Sequence, residues 1–353
     1  MPLIDCDVHP YAPDMDSVAA YMPRAWQERF DGYPLPRAGA GPDRYANPNA
    51  GLRKDATPPA GGIPGSDPQF VAQDLLDKHD VAAALLLPMQ GAGMTAWTDA
   101  DSAAAFASAI NDYMIERWVQ TDSRYKLSAI VPPHDAELAA REIRRLEDVR
   151  GVASVMLPLQ GTLMGHRSFD PLYEAAQEAG MPIVIHPTGA EGSYQGCPTV
   201  AGGTQRTYPG WHTALPQVAQ SNLVSLVFDG TFEKFPKLRV AMVEFGFSWL
   251  VPTLWRMDKE WQNFRFEVPW VKRPPSSYVL EHVRFATQPI DEPAPRTNLW
   301  ELVDLMDASQ ALVFSSDYPH YDNDDPMTVL KHIPAPVRQQ MYDNAAALFG
   351  DRL

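Results

Sequence analysis

With 353 residues, 45% of them apolar and 21% charged, the chain has the material for a large buried core and lacks the composition of a disordered segment. Its 29 basic and 44 acidic residues leave a net charge of −15, which removes the electrostatic case for a nucleic acid or an anionic membrane surface. A small-molecule partner is the expectation that remains.

In chain order, short apolar runs alternate with helical stretches. Strands are expected over 3–8, 82–88, 127–132, 152–158, 183–186, 238–244, 283–287 and 311–317. Helices are expected over 68–79, 100–121, 136–148, 168–179, 213–235, 249–264, 297–308 and 326–348. Most of the strand runs are continuously apolar, as parallel strands covered on both faces are. The pattern predicts an α/β fold, a (β/α)8 TIM barrel forming one domain over 1–353, with a doubly wound open sheet as the alternative.

Two Pro- and Gly-rich stretches interrupt the alternation, at about 24–67 after the first strand and 188–212 after the fifth. Loops of that length at a barrel mouth are expected as lids or substrate loops; the alternative is solvated decoration. The 34 prolines, about twice the usual share, predict stiffened loops. No apolar run reaches the ~20 residues that span a bilayer. Only Cys6 and Cys197 are cysteines, and Met1 leads directly into an apolar strand, so a cytoplasmic protein is expected, and a homo-oligomer is a separate expectation.

The first strand reads LIDCDVHP, and a two-residue period puts Asp5, Asp7 and His9 on one face. A carboxylate and an imidazole one residue apart can chelate a divalent ion or simply hydrogen-bond each other. The fifth strand delivers His186 in PIVIHPTG, and the eighth delivers Asp317 in ALVFSSDYPH, with His320 and Tyr321 just beyond. Polar groups at the C-terminal ends of barrel strands are where active sites are built, although a core histidine or a helix cap would explain either alone.

The set DCDVH, IHPTG and SSDYPH, with FEKFPKLRVAMVEFGFSWLVPTLWRMDKEW and the terminal NAAALFG, resembles the amidohydrolase superfamily, in its branch of the aminocarboxymuconate-semialdehyde decarboxylase type. The resemblance extends over nearly the whole chain. It implies one divalent ion held by Asp7, His9, His186 and Asp317, with zinc or manganese expected and magnesium as a further option. The end of strand four reads VMLPLQ, without the lysine of two-metal relatives. At strand six, where relatives commonly carry a histidine, this chain has Glu244, which inherits the acid–base candidacy or else supports the site.

Two reactions use these parts. In non-oxidative decarboxylation of a small aromatic or unsaturated acid, Asp317 delivers a proton to the carbon losing carbon dioxide. In hydrolysis of an amide, ester or lactone, Asp317 or Glu244 takes a proton from a metal-activated water. Decarboxylation is the favoured expectation and hydrolysis the alternative. Arg206 and Arg53 are the candidate cations for a substrate carboxylate, and Tyr194, Tyr208, Trp211, His320 and Tyr321 are the candidate pocket walls.

Overall fold

The structure is a computed structural model that describes residues 3–30, 51–159, 161–187, 205 and 207–353. Eight parallel strands lie in the order of the chain: β1 (Leu3–Val8), β2 (Val81–Leu86), β3 (Tyr125–Ile130), β4 (Val152–Pro158), β5 (Ile183–His186), β6 (Val240–Met242), β7 (Val283–Ala286) and β8 (Leu312–Val313). The chain beyond β8 runs on along β1. Cys6 N donates to Phe314 O at 3.0 Å, Asp317 N to Asp7 O at 3.0 Å and His9 N to Tyr318 O at 2.7 Å. Those bonds join the eighth strand segment to the first, as closure of the expected barrel requires.

All seven residues of β4 and all four of β5 are buried, as strands lined by side chains on one face and covered by helices on the other must be. Some of the covering helices start on side-chain caps. Asp67 accepts from Gln69 N and Phe70 N, and Asp135 accepts from Glu137 N and Leu138 N, each satisfying amides that the first turn leaves unpaired. The helix Ala136–Leu146 also carries Glu137 in its first turn and Arg144 and Arg145 in its last, which complements its dipole. Among the described residues no helix is long and apolar enough to cross a membrane.

Several boundaries differ from the sequence expectation. β6 and β8 end early, at Met242 and Val313, and further on Glu244 and Asp317 take left-handed backbone conformations, φ 62 and 63, outside strand geometry. The helix expected over 213–235 begins at Tyr208 and ends at Phe228, and Gly230 at φ 78 separates it from a short turn of helix, Thr231–Lys234. The second insertion therefore stops before Tyr208. The first insertion opens with a helix, Arg24–Phe30, and the segment after it returns to the barrel mouth, where Leu52 bridges His320. A helix that the sequence reading did not foresee, Pro275–His282, leads into β7.

Candidate metal centre and active site

β1 and its continuation carry Asp5, Asp7 and His9, all fully buried. Asp5 Oδ1 accepts from Asp7 N at 3.2 Å and Ser316 N at 2.9 Å, so this carboxyl stitches the first strand to the eighth. Burial pushes its pKa up to about 7. Asp7 and His9 sit one and two pleats further toward the mouth and face the cluster.

His9 Nδ1 donates to Leu87 O at 3.1 Å and His186 Nδ1 donates to Pro187 O at 2.5 Å. A carbonyl can only accept, so each ring holds its proton on Nδ1 and turns the Nε2 lone pair inward. His9 Nε2 lies 3.1 Å from Asp7 Oδ1 and 2.9 Å from Asp317 Oδ1, and His186 Nε2 lies 3.7 Å from Asp7 Oδ1. These atoms are buried and close, yet Nε2 of both histidines and both oxygens of Asp7 have no partner in hydrogen-bonding geometry.

Lone pairs that converge without pairing are what a shared cation satisfies. The donor atoms of Asp7, His9 and His186 lie within 4.8 Å of one another, as do those of His9, Asp317 and His320. The residues present therefore fit one divalent ion, and Asp317 joins the first three through His9. Electrostatics agrees. Burial lowers His9 to about pKa 4, whereas Asp7 and Glu244 overcome the burial of His186 and hold it well above the usual imidazole value. A cation binding there displaces that proton.

Asp317 carries a second set of contacts. Its Oδ1 accepts from His320 Nδ1 at 2.5 Å and its Oδ2 from Gln288 Nε2 at 3.1 Å; Gln288 lies just past β7. Burial, reinforced by Glu244, lifts Asp317 to about 7, while the Asp317 charge outweighs burial at His320 and lifts it to about 9. The pair retains a proton between them near neutral pH. Tyr11 Oη lies 3.4 Å from His320 Nε2.

Glu244 stands between two imidazoles. Its Oε2 is 3.0 Å from His186 Nε2 and its Oε1 is 3.4 Å from His212 Nε2. Burial would raise its pKa, but the two imidazoles hold it well below the usual carboxylate range. His212 was not among the residues singled out from the sequence, and neither were Gln288 and Tyr11. A signal for His212 existed in TYPGWH, where Thr207 caps the helix and Pro209 occupies its first turn.

The aromatic candidates assemble in part. Tyr208 and Trp211 rings are 5.4 Å apart, and Tyr208 and Tyr321 rings 6.4 Å apart. His320 belongs to the Asp317 pair as much as to any wall. Arg53 is engaged by neighbours other than the cluster's side chains. Its guanidinium is bidentate on Asp55, at 3.0 and 2.8 Å, and sits 5.6 Å from the Tyr318 ring centroid. The reason is local, because Asp55 follows two residues later and offers a matched carboxylate. Arg206, Tyr194 and Cys197 lie outside the described residues.

The amidohydrolase family model matches residues 4–350. The chain belongs to the amidohydrolase family. Relatives of this amidohydrolase include a gamma-resorcylate decarboxylase of Polaromonas sp. (strain JS666), 27% identical over 198 residues, which are 52% of this chain and 57% of that enzyme. The chain thus spans little more than half the length of that relative. A gamma-resorcylate decarboxylase of Rhodococcus jostii (strain RHA1) is 24% identical over 293 residues, 74% of this chain and 83% of the relative. Among solved structures, the dihydroxybenzoic acid decarboxylase of Polaromonas sp. JS666, crystallised with manganese and the inhibitor 2-nitroresorcinol, superposes with a TM-score of 0.68 at 20% identity, covering 99% of this chain and 96% of that one. At that identity the likeness speaks for the fold.

Proposed function

We propose that this amidohydrolase is a metal-dependent, non-oxidative decarboxylase of a small aromatic or unsaturated carboxylic acid. The observation that carries the reading is the Asp317–His320 pair, a buried carboxyl that accepts from His320 Nδ1 at 2.5 Å and lies 2.9 Å from His9 Nε2, beside the Asp7 and His186 donor atoms. The named function of the two relatives supports it. Asp7, His9, His186 and Asp317 would hold the ion, and their mixed nitrogen and oxygen donors suit manganese or zinc, with magnesium a weaker match. When bound, the ion supplies positive charge that anchors the substrate's oxygen atoms and offsets charge developing on them.

The chain's own residues do the rest. Gln288 fixes Oδ2 of Asp317, so the carboxyl keeps one orientation. Asp317 gives its proton to the carbon that bears the carboxylate; the new C–H bond forms, the C–C bond breaks and carbon dioxide leaves. His320 then returns a proton to Asp317. Tyr208, Trp211 and Tyr321 wall the ring, and Arg206, in the loop after β5, is the cation proposed for a substrate carboxylate now that Arg53 is committed to Asp55. The stretches at 24–67 and, with its end corrected, 188–207 are proposed as the substrate loops. Sparse cysteine usage supports a cytoplasmic site, and exposed Trp255, Phe264, Phe266 and Trp270 support a homo-oligomer.

The test is manganese-loaded protein assayed on 2,6-dihydroxybenzoate and 5-carboxyvanillate, with carbon dioxide and decarboxylated product measured together. Equal amounts of both are expected, lost with a chelator and reduced about 100-fold or more in Asp317→Asn. Turnover of an ester or lactone panel with no carbon dioxide from either acid would replace this reading with hydrolysis.

A further inference from the structure

Three arginines gather at the N-terminal end of the barrel, the end away from the metal donors. Arg284 is the second residue of β7 and pairs in register with Ala241 of β6. Ala241 pairs in turn with Val184, two residues before His186, so Arg284 shares the strand face that His186 turns into the barrel. Arg239 precedes β6, and its carbonyl still accepts from Ile183 N at 2.9 Å, so the extended pairing includes it. Two residues from Ala241, it falls on the same face and sits diagonally beside Arg284 on the neighbouring strand. Arg352 arrives from the C-terminal turn. Its Nη2 donates to Ala179 O at 2.5 Å, and Arg239 Nη2 donates to the next carbonyl, Gly180 O, at 2.9 Å.

Helix capping explains part of this. Arg239 Nη1 also reaches Ala347 O at 3.0 Å, and Arg352 reaches Val152 O and Glu147 O at 3.1 Å each. Ala179, Glu147 and Ala347 lie at helix C-terminal ends, whose dipoles favour a cation. A carbonyl satisfies an N–H without neutralising the charge, however, and a helix end supplies only about half a charge. Arg284 is explained least. Its Nη1 turns back to Leu280 O, Glu281 O and Val283 O, at 3.0, 3.4 and 2.9 Å, while its Nε is enclosed without a partner. Among the described residues no carboxylate forms an ion pair with any of the three guanidiniums. Burial holds all of them below their ordinary pKa; the Arg352 charge lowers Arg239 further and the Arg239 charge lowers Arg284, whereas Asp148 and Glu147 offset burial in part at Arg352. A guanidinium stays protonated even so. Three like charges thus lie half-buried together in a chain whose net charge is −15, an arrangement that costs free energy until a counter-charge enters.

We propose that Arg239, Arg284 and Arg352 form a binding site for a phosphate-class oxyanion at the N-terminal end of the barrel. A tetrahedral oxyanion presents acceptor oxygens on several sides, so one ion accepts from guanidiniums that approach from β6, β7 and the C-terminal turn. Arg284 Nε and the N–H groups that face no carbonyl are the donors. The metal donors occupy the opposite strand ends, so this site is separate from theirs and stands independently of the decarboxylase reading. A bound ion ties the turn Gly350–Arg352 to β6 and β7 and stabilises the folded chain as it fills the site.

The experiment follows thermal melting of manganese-loaded full-length protein in inorganic phosphate, with chloride at equal ionic strength as the control and glycerol 2-phosphate as a second probe. Wild-type Tm should rise with phosphate and stay level in chloride. A stronger response to glycerol 2-phosphate assigns the site to a phosphomonoester, and a stronger response to phosphate assigns it to the free ion. Arg284→Gln and Arg239→Gln should each need about tenfold more phosphate, or higher, for the same shift, whereas His186→Ala, altered at the metal centre, should respond as wild type does. Wild-type crystals soaked in tungstate, which need no variant to fold, should show an anomalous peak in contact with Arg239 and Arg284. A wild-type Tm that ignores phosphate overturns the proposal, as does an unchanged response in Arg284→Gln. A response lost in His186→Ala but kept in Arg284→Gln, or a tungstate peak confined to the metal centre, overturns it as well.

Discussion

Glu244 and Asp317 both adopt positive φ, a conformation that costs a residue with a side chain about 1–3 kcal/mol. Both are carboxylates of the cluster, and the backbone around Asp317 holds it there, with its N–H on Asp7 O and its own carbonyl accepting from His320 N. Two-residue periodicity and strand-end position were enough to find Asp7, His9 and His186, because both are local properties. They could not show that Arg53 would choose Asp55, or that Gln288 and Tyr11 would reach the Asp317–His320 pair from β7 and the loop after β1. The Gln288 and Tyr11 contacts depend on residues far apart in the chain, whereas Arg53 takes a local partner two residues on whose claim on the guanidinium only the folded geometry ranks. The different jobs of neighbouring residues predict different phenotypes. His186→Ala should lose both metal and turnover, whereas Asp5→Asn, which keeps an acceptor oxygen for Asp7 N and Ser316 N, should retain its metal by elemental analysis. Equal and complete metal loss in the two variants would mean that Asp5 is a ligand.

At the scale of elements, helix starts were where the sequence reading slipped. Thr207 with Pro209 marked a helix five residues earlier than expected, and that shift is what carries Trp211 and His212 into the site. Pro275 opens the unforeseen helix Pro275–His282, a position where proline's missing N–H costs nothing. That helix ends on His282, which donates from Nδ1 to Leu238 O at 2.9 Å and stacks on Phe232 at 4.5 Å. Burial depresses its pKa in the folded protein. Above the unfolded value of about 6.5 the ring is neutral in both states and contributes no pH dependence. As pH falls below about 6.5 the unfolded chain takes the proton more readily, and stability is lost until the lower folded value is passed. Thermal melting from pH 7.5 to 5 should therefore fall less steeply in His282→Gln than in wild type. Parallel slopes would show that His282 does not titrate on unfolding.

For the whole molecule, the alternation of apolar runs and helices was sufficient to predict a barrel, and the backbone bonds between β1 and the segment after β8 close it. Closure also builds the site, since the same bonds set Asp7 and His9 beside Asp317. The central claim is that this seam and β5 together hold one divalent ion. It is tested most directly by anomalous diffraction at the manganese edge from crystals of the manganese-loaded protein. The account predicts one strong peak per chain in contact with Asp7, His9, His186 and Asp317. A pair of peaks in a bridged site, or a single peak that touches none of these four side chains, would contradict it.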